Sequence, residues 1–304
     1  MDMELTGICP VVPVVFDGQG ELDLTGSADC CRQLMALGAQ GLVLGAPEGE
    51  GHKLDAEEER RLLDAIVGTA HQGGVPVVAA NGRQGTETAC RWARQLQEAG
   101  ADGMLLVAPQ AHQPDADALL RHLGDVCAAV SLPVMVQDDP RLSPEQLAQL
   151  AADHGNVRHI KVDRLPQAAT ISRLLELLPP DRDVFVGNGG LHLLAAFHLG
   201  CAGVLPGPAV TDVCRKVWDA LLSGDYATAQ RVGDLLAAFL AHVRQHDEMD
   251  IHFQKLILQR RGLIACARCR RPAYAPDPVS DLLFEQLLQK LAPEFTGEPL
   301  QPRD

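Results

Sequence analysis

Ala36-Leu-Gly-Ala-Gln-Gly41, Glu98-Ala-Gly-Ala-Asp-Gly103 and His198-Leu-Gly-Cys-Ala-Gly203 are near copies of one another. Each reads as the last turn of a helix closed by a glycine at C′, followed by a two-residue turn into a strand. Working outward from them, eight short apolar runs punctuate the chain: Cys9–Val15, Gly41–Leu44, Pro76–Ala80, Gly103–Val107, Pro133–Val136, His159–Val162, Val184–Val186 and Gly203–Leu205. They are apolar throughout rather than alternating, as parallel strands buried on both faces are. Amphipathic segments of helical period lie between them, for example at 56–70, 86–99, 116–130, 144–152 and 166–178. Asp55 before a run of glutamates and Ser143 before Pro144 mark helix starts.

Eight such units with right-handed crossovers predict an α/β fold, a (β/α)8 TIM barrel. An open doubly wound sheet fits less well, since no glycine-rich phosphate fingerprint follows the first strand. The strands stop near residue 207. Val213–Leu222, Tyr226–His242, Ile251–Gly262 and Asp281–Leu291 read as helices. The expected division is therefore a barrel core at 1–207 and C-terminal helices at 208–304 packed on it.

Composition narrows the function. The 304 residues carry 26 basic and 40 acidic side chains, a formal charge of −14 with no basic run, which speaks against nucleic acid or an anionic membrane as partner. Nine cysteines without framework spacing, and no apolar stretch of membrane length, lead us to expect a cytoplasmic protein. Cys266-Ala-Arg-Cys269 reads as a loop with two reduced thiols. His242 and His246 have a spacing that can bind a metal, but a solvated helix end explains them with fewer assumptions. Neither a metal nor a cofactor is expected.

In a barrel of this type the chemistry gathers at the C-terminal strand ends. Those ends read Pro47-Glu48-Gly49-Glu50, Asn81-Gly82-Arg83, Pro109-Gln110, Gln137-Asp138-Asp139-Pro140, Lys161-Val162-Asp163, Gly187-Asn188-Gly189-Gly190 and Pro206-Gly207-Pro208. Lys161 stands out because only five of the 26 basic residues are lysines. At the end of an apolar strand, desolvation is expected to lower its pKa and expose a neutral amine, the form that attacks a ketone to give an iminium. Its bland alternative is a lysine snorkelling to the mouth or paired with Asp163.

The order of these pieces resembles the dihydrodipicolinate synthase/N-acetylneuraminate lyase family of Schiff-base barrels, from Gly7 to about Pro272. The stretches that carry the resemblance are Gly49-Glu50 with Leu54, Glu57-Glu58-Glu59-Arg60, Ala99 to Gly103, Pro109, Leu132-Pro133 and Pro140. Ile160-Lys161, Gly187, Gly200 to Gly203, Lys255, Gly262 and Arg271-Pro272 follow in order. The resemblance implies that Lys161 is the iminium lysine and that the chain assembles as a homo-oligomer, a dimer or tetramer.

The departures are equally informative. Where the family keeps a hydroxyl pair before Gly-Glu, this chain has Pro47-Glu48. Where it keeps Tyr-Asn-x-Pro, this chain has Gln137-Asp138-Asp139-Pro140, and Gln110-Ala111 replaces a Tyr-Tyr pair. Tyr226 and Tyr274, the only tyrosines, lie in the helical appendage. The Val134-Met-Val-Gln-Asp-x-Pro140 stretch is similar to the branch of 2-keto-3-deoxy-arabonate dehydratases. That likeness implies a lyase that dehydrates a 2-keto-3-deoxy sugar acid. Lys161 would form the Schiff base, Glu48 would act as acid or base, and Gln137 would orient the substrate. Pro47, Gly49, Asp138, Gly187, Asn188 and Gly189 are the expected substrate contacts. An anionic Glu48 would repel the substrate carboxylate, so either that carboxylate is held elsewhere, near Asn188-Gly189-Gly190 or Arg141, or Glu48 is protonated when the substrate enters. Two other readings stand beside this one. The same lysine could cleave a carbon–carbon bond and release pyruvate, or the barrel could be a non-catalytic metabolite-binding relic. A metal-dependent aldolase fits poorly, because no histidine cluster converges on the strand ends.

Overall fold

The computed structural model describes residues 5–301. Eight parallel strands alternate with helices: β1 (Gly7–Ile8), β2 (Leu42–Leu44), β3 (Val77–Asn81), β4 (Gly103–Leu106), β5 (Val134–Gln137), β6 (Val157–Val162), β7 (Asp183–Gly189) and β8 (Gly203–Pro206). They are ordered β1-β8-β7-β6-β5-β4-β3-β2. The ring closes where Val11 bridges Val43, with the Val12 N–H donating to the Val43 carbonyl at 2.8 Å. The first strand is shorter than the Cys9–Val15 run suggests, since Pro10 and Pro13 have no N–H to give to a ladder.

The connecting helices are α1 (Leu24–Ala36), α2 (Ala56–Gln72), α3 (Thr86–Glu98), α4 (Ala116–Ala128), α5 (Pro144–Asp153), α6 (Gln167–Leu177), α7 (Leu193–Leu199) and α8 (Thr211–Ser223). Asp55 and Ser143 close full capping boxes, as their sequence context predicts. The eighth helix packs against α7 and β1, so it completes the ring, and a boundary at 207 falls inside the eighth unit. The appendage is α9 (Tyr226–Val243), α10 (Asp247–Arg260) and α11 (Pro278–Leu291). No helix among the described residues is long and apolar enough to cross a membrane.

Alternate residues of each strand face the lumen. Cys9, Val11, Val43, Val78, Leu105, Met135, Phe185 and Leu205 fill it, while the other strand faces join the helices in a larger core. His159 faces the lumen one step below Lys161, edge-on to Phe185. Burial, with the charges of Arg158 and Arg182, pushes its pKa down to about 4, so it is a neutral part of the floor.

The turn after β2 is tied to the appendage through Glu50, which is 0% exposed and held in the left-handed region at φ 65°. Its carboxylate contacts Lys255 of α10 and accepts from Lys53 Nζ at 3.1 Å and from the Arg270 N–H at 3.0 Å. Lys53 also meets Glu248 at 2.6 Å. Phe16 lies beneath the Lys255 and Arg270 charges, 4.5 and 4.4 Å from its ring centre. Burying the Lys255 ammonium is tolerable only with this partner. Glu50→Gln, which keeps the shape and removes the charge, is expected to cost about 3–5 kcal/mol in a urea unfolding titration.

Candidate active site

The strand ends deliver a compact group of charges to the mouth of the barrel. Lys161 sits near the end of β6 opposite Gln137 of β5 and Phe185 of β7. Its Nζ donates to Gln137 Oε1 at 3.0 Å and pairs with Asp163 Oδ2 at 2.9 Å. Asp163 lies two residues on, beyond the end of β6, and reaches back to the ammonium. The Asn188 N–H donates to Asp163 Oδ1 at 2.9 Å, and the Asn188 side chain donates to the Asp163 carbonyl at 2.6 Å.

The wall at β7 is stripped of side chains to make this possible. A Cβ on Gly187 would overlap the Asp163 carboxylate and stand 2.6 Å from Lys161 Cε. Asn188 and Gly189 are both in the left-handed region, at φ 52° and 62°. A Cβ on Gly189 would come within 2.7 Å of Arg244 Nη1. Gly187, Asn188 and Gly189 thus position the charged groups by giving them room and holding Asp163.

Glu48 lies in the 3-10 turn Pro47–Gly49, half-buried, with no hydrogen bond or ion pair among the described residues. That turn packs against α10. Pro47 is exposed, and Gly49 is required by close approach, since a Cβ there would stand 2.6 Å from the Val12 carbonyl oxygen.

These neighbours overturn one expectation. Burial does pull the Lys161 pKa down, but the carboxylates of Asp163 and Glu48 outweigh it, with Arg244 opposing them. The net position is above the ordinary lysine value. At rest the amine is an ammonium, not the neutral nucleophile that its apolar strand suggests.

Asp138 does not face the mouth. Its Oδ1 accepts the Asp163 N–H at 2.8 Å, its Oδ2 meets Arg164 Nε at 3.1 Å, and its own N–H donates to the Lys161 carbonyl at 2.8 Å. It fixes the loop after β6, and burial foremost raises its pKa. Arg141 is clamped by Asp139 at 2.6 and 2.7 Å and by the Pro109 carbonyl at 3.0 Å, and its remaining Nη1 is sealed from the surface. The backbone after β7 is also occupied, because the Gly190 and Leu191 N–H groups donate to the Gly187 and Asn188 carbonyls. Of the two places that the sequence offers for a substrate carboxylate, the turn after β7 uses these donors itself, and Arg141 keeps only its buried Nη1 without a partner.

Two groups escape a reading confined to strand ends. Arg244, just after α9, reaches over Gly189 and pairs with Asp250 of α10. Asp250 is buried, its pKa pushed up to about 6 by burial foremost, with Arg244 and Gln254 opposing and Glu48 adding to the rise. The tyrosines do not restore a hydroxyl relay: Tyr226 packs by His198, and Tyr274 against His246, His252 and Phe253. No group of three or more His, Cys, Asp or Glu side chains among the described residues could hold a metal. The helix breaks between His242 and His246, which instead caps α10 through a 3.1 Å bond from the Glu248 N–H.

Two substitutions test this geometry through covalent capture of a keto acid at Lys161 by reduction. Asp163→Asn removes an anion that holds the proton on Lys161, so the rise of capture with pH is expected to move to lower pH. Gly187→Ala displaces both Lys161 and Asp163 and is expected to slow capture about 100-fold at a fixed keto-acid concentration.

Comparison with known proteins agrees with the barrel. Residues 4–290 match the Dihydrodipicolinate synthetase family. A 4-hydroxy-tetrahydrodipicolinate synthase of Exiguobacterium sibiricum is 32% identical over 237 residues, 74% of this chain and 78% of that one. The counterpart from Symbiobacterium thermophilum is 31% identical over 229 residues, 72% and 75% of the two chains. Among solved structures, an Escherichia coli K12 prophage protein of the dihydrodipicolinic acid synthase family, in complex with pyruvate, superposes with a TM-score of 0.85. It is 25% identical, over 94% of this chain and 98% of that one. N-acetylneuraminate lyase from Mycoplasma synoviae has the same fold, at a TM-score of 0.82 and 16% identity over 94% and 98% of the chains. With the family pattern spanning nearly all of the chain, this protein belongs to the dihydrodipicolinate synthetase family, whose members are lyases that work through a Schiff-base lysine.

Proposed function

We propose that the protein is a lyase that dehydrates a 2-keto-3-deoxy sugar acid through an iminium on Lys161. The observation that carries this reading is the mouth itself, in which the relay hydroxyls are replaced by Gln137 and the unpaired carboxylate of Glu48 around a buried lysine. Lys161, once deprotonated, attacks C2 of the keto acid, and loss of water gives the iminium. The iminium acidifies C3, a carboxylate removes that proton, and the enamine expels the C4 hydroxyl, which leaves as water after taking up a proton. Loss of a C5 proton and its return at C3 turn the conjugated imine into a C4–C5 enol that becomes an aldehyde, and hydrolysis of the remaining imine frees Lys161 and a semialdehyde with its keto carbonyl at C2. Glu48 serves as the base at C3 and then as the acid at C4, while Asp163 takes and returns the Lys161 proton. Gln137 orients the substrate and does not titrate.

Retro-aldol cleavage on the same lysine is the second reading, supported by relatives named 4-hydroxy-tetrahydrodipicolinate synthase and a structural neighbour named N-acetylneuraminate lyase. We also propose that the protein works as a homo-oligomer on a small keto acid, without nucleic acid, membrane or metal, in the cytoplasm. Sedimentation at micromolar concentration is expected to give a mass above one chain.

The decisive experiment is borohydride reduction with pyruvate, read by mass spectrometry. A reduced adduct is expected on Lys161 and is lost in Lys161→Ala. Failure with every keto acid tried would leave a binding relic. With 2-keto-3-deoxy sugar acids, a semialdehyde product supports dehydration, and free pyruvate supports cleavage. Glu48→Gln is expected to retain capture and lower turnover by about 100- to 10,000-fold.

A further inference from the structure

Resting on the keto-acid reading, we propose that Arg244, supplied by the helical appendage, binds the carboxylate of the substrate whose carbonyl meets Lys161. An anionic keto acid entering a mouth that already holds Glu48, Asp163 and Asp250 needs a cation besides the lysine it reacts with. Arg141 is neutralised by Asp139 and tied to the Pro109 carbonyl, with its one unbonded nitrogen, Nη1, sealed from the surface, and the backbone donors after β7 serve their own turn. Arg164 is committed to Asp138 and the Leu142 carbonyl.

Arg244 is differently placed. Its side chain lies over Gly189, two residues along β7 from the Gly187 that makes room for Lys161. Its Nη1 is engaged by Asp250, while among the described residues Nε and Nη2 make no hydrogen bond. Its side chain is 13% exposed, so it is neither sealed nor solvated on all sides. Its charge is also felt at Lys161, which puts the two cations in one electrostatic space. A guanidinium held by one edge keeps its other donors for a planar carboxylate.

The support behind it is built. Asp250 holds Arg244, Gln254 Nε2 donates to Asp250 Oδ1 at 3.1 Å, and Gln254 Oε1 accepts the Ala209 N–H at 2.9 Å, beside the exit of β8. A Cβ on Gly207 would collide with that glutamine. Asp250 and Gln254 are therefore positioning residues, and Arg244 is the binding group.

The test compares pyruvate with pyruvamide, a neutral carbonyl of nearly the same shape, in reductive capture at Lys161. Arg244→Gln is expected to raise the pyruvate concentration for half-maximal capture about 10- to 100-fold and to leave pyruvamide within about twofold. Loss of the Arg244 charge also changes Lys161 itself, and the ratio of the two carbonyls removes that contribution. Because Arg244→Gln strands a buried carboxylate, the double change Arg244→Gln with Asp250→Asn is made alongside and is expected to give the same ratio. Arg244→Lys is expected to fall between wild type and Arg244→Gln. An equal loss for both carbonyls, or no loss for pyruvate, would overturn the assignment. Wild-type protein that captures neither carbonyl would instead overturn the Schiff-base reading beneath it.

Discussion

A carboxylate with no access to water survives in a folded protein only among cations and N–H donors, and Glu50 is such a group. Lys53, Lys255 and the Arg270 N–H converge on it from three separate parts of the chain. Because Glu50 closes the turn that carries Glu48, and Lys255 belongs to the helix that carries Asp250 and Gln254, one buried ion cluster fixes both sides of the mouth. The appendage is thereby a wall of the site rather than a decoration on a finished barrel.

The ring of strands is readable from sequence because parallel strands must be apolar on both faces and their helices close on glycine. Lys161 is readable because lysine is rare in this chain and one of the five ends an apolar strand. Other features fail for identifiable reasons. Pro10 and Pro13 hide how short the first ladder is, and the helix break after Val243 removes the spacing that pairs His242 with His246. Asp138 looks like a mouth residue, but its N–H donates to the Lys161 carbonyl within β6 and its carboxylate holds Asp163 and Arg164 in the loop that follows. Arg244 leaves no local mark at all, since its relation to Gly189 exists only after the appendage has folded over β7.

The charge state of Lys161 shows the same limit in energetic form. Strand burial alone argues for a depressed pKa, and burial is indeed the largest single influence. It loses to two anions, Asp163 two residues on, whose pairing the sequence offers as an alternative, and Glu48 from the turn after β2, which local sequence context does not bring near. Asp163 and Glu48 together hold the proton on Lys161 against the pull of burial.

On the proposed Schiff-base reading, the contact between Lys161 and Asp163 has a further consequence. The carboxylate that stabilises the charged amine is also the nearest group able to receive its proton, so one contact both holds the lysine back and provides the route by which it is released.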